Sequence, residues 1–262
     1  PEWSIELSYV KDSLVTEVRA SHYHLGITLL INDAVHQRED IYLKRVLIHN
    51  HWDKVREVRM FFNQDLVINE TEVGDTAAYY PQNNTVFHYK KDRYFMFNGL
   101  TGNDGLYQYT TGVKRFYNAE GTWRDAEDGH LSGNAIAQGS VDSTISLRLH
   151  VPPNGDESLY YWMTAGKDLE EVKKLDTYVK ESHPDKLLER TKIYWQRWGN
   201  KSATDFGNLN EETIRMYKHS LLIVRTQTDV NGAIIAANDS EIMQSNRDHY
   251  SYMWPRDGAL IA

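Results

Sequence analysis

Two kinds of hydrophobic pattern divide the chain, and the change lies near residue 166. Before it, apolar and polar residues alternate with a period of two, which is typical of a β-strand with one buried face. In Ile145–Val151, every second residue is Ile, Leu or Val, and the residues between them are Ser, Arg and His. The pattern predicts strands over Leu14–Ala20, His24–Ile31, Ile41–Ile48, Val58–Phe62, Thr85–Tyr89, Arg93–Phe97, Tyr107–Tyr117, Ile145–Val151 and Ser158–Ala165.

Turn-forming residues separate these strands without an intervening helical pattern. Asn32-Asp33, Asn83-Asn84, Asn98-Gly99 and Asn103-Asp104-Gly105 are examples. Asn, Asp and Gly tolerate the backbone conformations that tight turns require. Many strands with short connections predict an antiparallel β-sandwich, to which we assign residues 1–166.

After Gly166, apolar residues recur every three to four positions, as on one face of an α-helix. Asp168 is a predicted N-cap, Pro184 a predicted first helical residue, and Asn210 a second N-cap. The predicted apolar positions are Leu169, Val172 and Leu175 in the first helix, Leu187, Leu188, Thr191, Tyr194, Trp195 and Trp198 in the second, and Ile214, Tyr217, Leu221 and Val224 in the third. We assign residues 167–205 to a helical linker and 206–262 to the start of a helical domain.

The last six residues, from Asp257 to Ala262, resemble the opening of a further helix. No C-terminal cap signal follows, and few residues remain to cover its apolar side. We therefore expect the helical domain to be truncated here, with self-association as one way to cover its exposed apolar residues.

Composition excludes several classes of protein. The 262 residues contain no Cys, so disulfides, thiolate metal sites and thiol nucleophiles are excluded. The net charge is −8 without a basic stripe, which argues against nucleic-acid binding. No apolar run reaches the roughly 18 residues of a membrane span. No signal peptide is visible and the first residue is Pro1, so we expect a cytoplasmic protein while leaving secretion open.

The segment from Tyr250 to Asp257 has the composition of a sugar-binding site. Tyr250, Tyr252 and Trp254 are large aromatics that precede the adjacent pair Arg256 and Asp257. A carboxylate can accept from two neighbouring hydroxyls and a guanidinium can donate to two oxygens, while aromatic rings supply an apolar wall. The structural alternative is that Asp257 caps the last helix, Arg256 pairs with another carboxylate, and the aromatics are core.

Several motifs resemble glycoside hydrolase family 15, the glucoamylases and glucodextranases. Trp254-Pro255-Arg256-Asp257-Gly258-Ala259 resembles the substrate-site motif of that family. Ser220–Gln227 and Gly232–Ala237 resemble the first barrel helix and the turn after it, Gly121–Gly129 and Gly139–Ser143 resemble the sandwich domain, and Arg190-Thr191 with Trp195 and Trp198 resembles the linker helix.

The resemblance implies a fold and an activity. The fold is mainly β with α: an N-terminal super-sandwich, a helical linker and an (α/α)6 barrel. The activity is exo-acting hydrolysis of α-glucosidic bonds with inversion, and the substrate is an α-glucan or maltooligosaccharide. It also implies that Tyr250, Tyr252, Trp254, Arg256 and Asp257 bind the terminal glucose. The catalytic acid and base of the family are glutamates of later barrel loops, so no catalytic residue is assigned and this chain alone is expected to be inactive.

Other candidate sites are weaker, and other functions stay open. Asp125, Glu127 and Asp128 are expected to cap turns and pair with Arg124, and His22 and His24, placed on one strand face, lack a third metal ligand. We expect no cofactor and no metal. The alternative functions are a family 65-type disaccharide phosphorylase, a trehalase, and a non-catalytic carbohydrate-binding or folding module.

Overall fold

The computed structural model describes residues 3–71, 73–115, 118–201, 204–229, 231–236 and 252–261, and it describes Glu70 by its backbone alone. Contacts divide the chain into two compact units. Unit 1 comprises Pro1–Ser8 and Val15–Thr191, and unit 2 comprises Tyr9–Leu14 and Lys192–Ala262.

Unit 1 is built on antiparallel strands. They are β1 (Trp3–Tyr9), β2 (Thr16–His22), β3 (Ile27–Val35), β4 (Ile41–Asn50), β5 (Arg56–Gln64), β6 (Asp75–Tyr80), β7 (Thr85–Lys90), β8 (Arg93–Thr101), β9 (Gln108–Val113), β10 (Ile136–Gly139), β11 (Val141–Val151) and β12 (Asp156–Gly166). Among the described residues, one sheet has nine strands in the order β1-β2-β3-β4-β12-β8-β7-β6-β10, and the other has three in the order β5-β11-β9. The predicted antiparallel sandwich is confirmed.

The two sheets enclose one hydrophobic core. From β11, Ile145, Leu147 and Val151 are fully buried, and they face Ile48 and Leu159 of the larger sheet in the same cluster. Arg148 and His150 point the other way and are exposed, as alternation requires. Burying side chains of this size contributes about 1.5–3 kcal/mol each, so these residues stabilise the packing of the two sheets.

Three strands were not predicted from the sequence. β1 alternates regularly but its residues are all exposed at the edge of the large sheet. β6 lacks alternation, and β10 has four residues and is held as a strand by antiparallel pairing with β6. The strand predicted over Tyr107–Tyr117 is shorter in the structure, where it ends at Val113.

A polar layer lies on the outer side of the small sheet. The Asp142 carboxylate is buried there, where its Oδ2 accepts from Thr122 N (2.7 Å) and from Asn63 Nδ2 (3.0 Å). A Cβ on Gly121 would lie 2.7 Å from the same oxygen, and Gly121 also has a φ of +117°. The close approach of backbone to carboxylate therefore requires glycine at this position.

Helix α1 (Leu169–Ser182) packs on the large sheet through an uncommon buried carboxylate. Asp168 caps it as predicted, because its Oδ1 accepts from Glu171 N at 2.8 Å. Asp176 is fully buried, and its Oδ1 accepts from Trp162 Nε1 and Asn98 Nδ2, both at 2.9 Å. The helix is thus joined to β12 and β8 by polar contacts as well as by its apolar face.

Helix α2 (Pro184–Gly199) starts at the predicted proline. Its first turns belong to unit 1, where Leu187, Leu188 and Thr191 are buried. Two polar contacts hold them there: Arg45 Nη1 lies 3.2 Å from Asp185 Oδ1, and Thr191 Oγ1 donates to Gln37 Oε1 at 2.7 Å. The predicted packing of this helix on the sandwich is therefore present up to Thr191.

Unit 2 contains the end of α2, helix α3 (Glu211–Thr226) and helix α4 (Pro255–Ile261). Asn210 caps α3 as predicted, since its Oδ1 accepts from Thr213 N at 2.8 Å. The buried residue of α3 is Leu222, beside Gly199, rather than a member of the predicted stripe. Tyr217 and Leu221 of that stripe are exposed, because α3 carries apolar residues around most of its circumference.

Among the described residues, the helices are all too short or too polar to cross a membrane.

Candidate functional site

The predicted substrate-binding segment lies in unit 2, where a short bridge precedes α4. Ala236 N donates to Tyr252 O at 3.0 Å, and Ile235 forms an antiparallel bridge with Met253. Trp254 comes next, and the proline that follows it disfavours a helical backbone at this residue. Pro255 then opens α4, and Gly258 N donates to Trp254 O at 2.8 Å. The bridge and the proline together fix where the helix starts.

Arg256 and Asp257 form an ion pair with each other at the start of α4. Arg256 Nη2 lies 3.1 Å from Asp257 Oδ1 and 3.3 Å from Oδ2, and Arg256 Nε lies 3.2 Å from Oδ1. The Arg256 side chain is 83% exposed, so the pair adds little stability. Its main effect is to orient the guanidinium alongside the carboxylate, and both groups remain accessible to a ligand.

A cavity of about 250 Å³ lies beside this segment. Its walls are mainly aliphatic, with Trp254 as the aromatic wall and the side chains of Asp257 and Gln227 as polar groups. The lining residues are Val224, Gln227, Ile234, Ile235, Ala236, Trp254, Asp257, Gly258 and Ile261. The structure therefore brings Trp254 and Asp257 together at one cavity.

Two of the other predicted site residues do not line this cavity. Tyr252 and Arg256 are outside the lining of this cavity, and Tyr250 is outside the described residues. Tyr252 and Trp254 are 51% and 48% exposed, so neither is a core residue. That exposure argues against the structural alternative for these two aromatics. Sugar binding by the five residues stays a prediction.

Sequence reasoning missed the contribution of the turn before the segment. Asp229 Oδ1 accepts from Asn231 N (2.7 Å) and Ala233 N (2.8 Å), and Ile235 N donates to Gln227 O (2.9 Å). These bonds return the chain onto the end of α3 and place Ile234 and Ile235 in the cavity wall. The Asn231-Gly232 pair, a common turn signal, was the available clue.

The acidic cluster of the sandwich has a structural role, as expected. Asp125 Oδ2 accepts from Ser132 N at 2.7 Å, and Asp128 Oδ1 accepts from His130 N at 2.8 Å. Glu127 pairs with Arg124 at 2.9 Å. The carboxylates therefore stabilise the turn after Arg124.

The histidine pair is not placed as predicted. β2 ends at His22, so His24 lies in the following turn and does not share its strand face. His22 Nδ1 accepts from Leu25 N at 3.1 Å, and the two ring centroids are 6.3 Å apart. Within the part of the chain that is described, no three His, Asp or Glu side chains come together as metal ligands.

Comparison with known proteins gives a match in structure but not in sequence. No protein-family model matches the chain, and no curated protein matches it. A crystal structure of a bacterial glucoamylase complexed with acarbose matches with a TM-score of 0.66 and 13% identity, over 90% of this chain and 34% of that one. The chain thus spans about a third of the length of that enzyme.

Two further structures match more weakly. One is described as a kojibiose phosphorylase from the human microbiome (TM-score 0.39, 8% identity, 86% of this chain and 25% of that one). The other is heparinase III (TM-score 0.36, 7% identity, 63% of this chain and 21% of that one). These scores are too low to support an argument. The glucoamylase match establishes the fold: an antiparallel β-sandwich followed by helices, shared with the corresponding part of a glycoside hydrolase.

Proposed function

We propose that this chain is the N-terminal part of an inverting, exo-acting α-glucoside hydrolase of the glucoamylase or glucodextranase type. The observation that carries the proposal is the fold match to a bacterial glucoamylase over 90% of the chain, which includes both the sandwich and the helices. In the proposed arrangement, residues 1–166 form the sandwich domain, 167–205 the linker, and 206–262 the first part of an (α/α)6 barrel.

The proposed role of the Trp254–Asp257 segment is to bind the terminal glucose. Asp257 accepts hydrogen bonds from two sugar hydroxyls, Arg256 donates to sugar oxygens, and Trp254 forms an apolar wall. The exposure of the guanidinium, and the position of Asp257 and Trp254 at one cavity, support this assignment. Tyr250 and Tyr252 complete the proposed subsite.

The chemical step needs groups beyond this subsite. Inverting hydrolysis uses a carboxylic acid that protonates the leaving oxygen and a carboxylate that activates water, about 6.5–9.5 Å apart. The cavity beside Trp254 is lined by one carboxylate among the described residues, that of Asp257. We therefore assign Asp257 to binding and no residue of this chain to acid or base catalysis, and we expect no hydrolysis by these 262 residues alone.

The substitution Asp257→Asn in the longer enzyme tests this role. It replaces charge-assisted hydrogen bonds by neutral ones of roughly half the strength, at two hydroxyls. We expect a loss of about 2–3 kcal/mol in transition-state binding, or roughly 30- to 150-fold in kcat/KM on maltose. The melting temperature should change little, because the Asp257 side chain is partly exposed.

Asp92→Asn is a matched control, since Asp92 also pairs with the adjacent arginine on the surface, at 3.0 Å from Arg93. We expect this variant to keep full activity. A well-folded Asp257→Asn enzyme with unchanged kcat/KM would remove Asp257 from the sugar site.

The same assay separates the alternative functions. Glucose release from maltose or isomaltose without phosphate supports the proposal. A strict requirement for inorganic phosphate, with glucose 1-phosphate as product, would identify a phosphorylase. Activity on trehalose alone would identify a trehalase, and glycan binding without turnover by the longer protein would identify a binding or folding module.

A further inference from the structure

A second cavity in unit 2 shares no lining residue with the one beside Trp254. It has a volume of about 390 Å³ and lies between the end of α2 and the middle of α3. Small-molecule sites in proteins typically enclose roughly 300–1,000 Å³, so its size fits a ligand of one or two rings. We call it the Trp198 groove. The lining residues that matter here are Trp198, Asn200, Lys201, Phe206, Tyr217 and Lys218.

Aromatic rings form two sides of the Trp198 groove, and neighbouring rings hold them in place. Phe206 and Tyr217 meet edge to face, with centroids 5.6 Å apart and planes at 72°. Trp198 meets Trp195 in the same way at 6.5 Å. Edge-to-face packing leaves a ring face open to a further partner. The groove therefore offers apolar, flat surfaces of the kind that the C–H face of a pyranose can cover.

Polar groups meet at the base of the groove. Lys218 Nζ donates to Asn200 Oδ1 at 2.6 Å and lies 3.8 Å from Asp12 Oδ2. Asn200 Nδ2 donates to Gln196 O at 2.7 Å and to Asp12 Oδ2 at 3.4 Å, which fixes the orientation of the amide. An ammonium has three donors. Among the described residues, the hydrogen bond to Asn200 leaves Lys218 with donors to offer a ligand, and Asp12 offsets its charge.

The lining argues against an apolar occupant. Leu221 is the one aliphatic side chain among the described lining residues, so the groove is a poor binding site for an apolar helix. Asp12 offsets the charge of Lys218, whereas Lys201 also lines the groove, so the lining carries a net positive charge, and the choice of an uncharged polyol rests on the aromatic walls and on the proposed function. By contrast, the cavity beside Trp254 has four aliphatic side chains in its wall besides Ala236.

We propose that the Trp198 groove binds one or two pyranose units of a neutral α-glucan, separately from the Trp254–Asp257 segment. Tyr217 and Trp198 stack on the sugar, and Lys218 and Asn200 hydrogen-bond its hydroxyls. The choice of an α-glucan rests on the proposed function, whereas the existence of a glycan site rests on the groove itself.

The test is a titration of the 262-residue chain with maltoheptaose, followed by calorimetry and by amide shifts in NMR spectra. We expect the shifts to include Asn200, Tyr217 and Lys218. Tyr217→Ala and Lys218→Met should each weaken this binding about five- to tenfold, by loss of a stacking surface or of a charged donor. Melting curves confirm that each variant is folded.

Matched controls are Tyr23→Ala, an exposed aromatic of unit 1, and Lys174→Met, an exposed lysine of α1; both should bind as the unsubstituted chain does. Asp257→Asn should leave the shifts around Tyr217 unchanged, which separates this site from the proposed first subsite. Three results would overturn the proposal: no binding of maltoheptaose, binding insensitive to both groove variants, or binding of glucose 1-phosphate but not maltoheptaose at Lys218. A failure of Asp257→Asn to alter catalysis would instead count against the proposed function alone.

Discussion

At the scale of single residues, His88 illustrates how a buried polar side chain is hydrogen-bonded inside the sandwich. Its Nε2 lies 2.7 Å from Ser143 Oγ, and Ser143 Oγ donates to Gln64 Oε1 at 2.9 Å. Since a hydroxyl has one proton, Nε2 must be the protonated nitrogen and donate to Ser143. The Phe97 ring is a further neighbour, 5.3 Å away, and offers no charge to an imidazolium. Burial therefore lowers the pKa of His88 from 6.5 to about 3.

This lowered pKa predicts a loss of stability in acid. The unfolded chain binds a proton at His88 below about pH 6.5 and the folded chain does not, so the unfolding free energy falls as the pH falls from 6.5 towards 3. At pH 5 the loss amounts to about 2 kcal/mol. Urea unfolding at pH 7 and pH 5 measures it.

His88→Gln keeps a donor for Ser143 and cannot be protonated, so it serves as the comparison. Between pH 7 and pH 5 the variant should lose about 2 kcal/mol less than the unsubstituted chain, whatever its stability at pH 7. Equal losses in the two proteins would show that His88 is protonated in the folded state, contrary to its burial.

At the scale of elements, the attachment of α1 depends on one carboxylate. Asp176 Oδ1 receives the indole N–H of Trp162 and the amide of Asn98, and Lys180 Nζ lies 2.8 Å from Oδ2. Removing a buried acceptor strands the donors that pointed at it, which costs more than the bonds contributed. The helix and the two strands should therefore lose stability together.

We expect Asp176→Ala to lower the unfolding free energy by about 3–5 kcal/mol. Asp176→Asn keeps one oxygen for Trp162 and Asn98 and should cost less. Glu170→Ala is the control on the same helix, because Glu170 is exposed and pairs with Lys173 on the surface; it should cost at most about 0.5 kcal/mol. Denaturant melts of the three variants test this, and an Ala variant as stable as the control would show that α1 is held by apolar packing alone.

The sequence predicted elements where the local pattern determines them. The second half of β11 alternates because one face is buried there and Arg148 and His150 are exposed on the other, and Asp168 and Asn210 cap helices through local hydrogen bonds. β10 could not be found in this way, because its four residues become a strand by pairing with β6. Leu222 was missed for a related reason: α3 is apolar on several sides, and the buried side is chosen by the neighbouring Gly199 rather than by periodicity.

Part of the candidate site was predictable because it is formed by residues that are close in sequence. Trp254 and Asp257 are close in sequence, and a proline-initiated helix brings them to one cavity. The other walls come from Val224 and from Ile234 and Ile235, which the Asp229 turn places there. Such tertiary contacts leave no periodic trace in a sequence. The sequence also did not determine that Arg256 pairs with Asp257 rather than with another carboxylate.

At the scale of the whole molecule, α2 and α3, the two longest described helices, differ in which of their side chains are buried. α2 buries Leu187, Leu188 and Thr191, whereas α3 buries Leu222 alone among its described residues. Met216 and Ile223 of α3 are exposed and lie outside the Trp198 groove. In the proposed (α/α)6 barrel, further helices would cover these side chains. In the 262-residue chain by itself, self-association is one way to remove them from water.

This difference predicts unequal protection from hydrogen exchange along the chain. Helices of this length are marginal in water without tertiary packing, so amide protection reports the packing rather than the helix. α1 buries Val172 and Val179 and is joined to the sheet through Asp176, so its amides should exchange at rates near those of global unfolding. The amides of α3 should exchange at least about 100-fold faster in a dilute monomer, which corresponds to about 2.7 kcal/mol less protection. Because α1 is measured in the same spectra, it is the internal control. Raising the protein concentration should slow exchange in α3 and leave α1 unchanged if α3 is the surface through which copies associate. Protection of α3 equal to that of α1, in a sample shown to be monomeric by sedimentation, would mean that Leu222 alone secures the helix and that no further cover is needed.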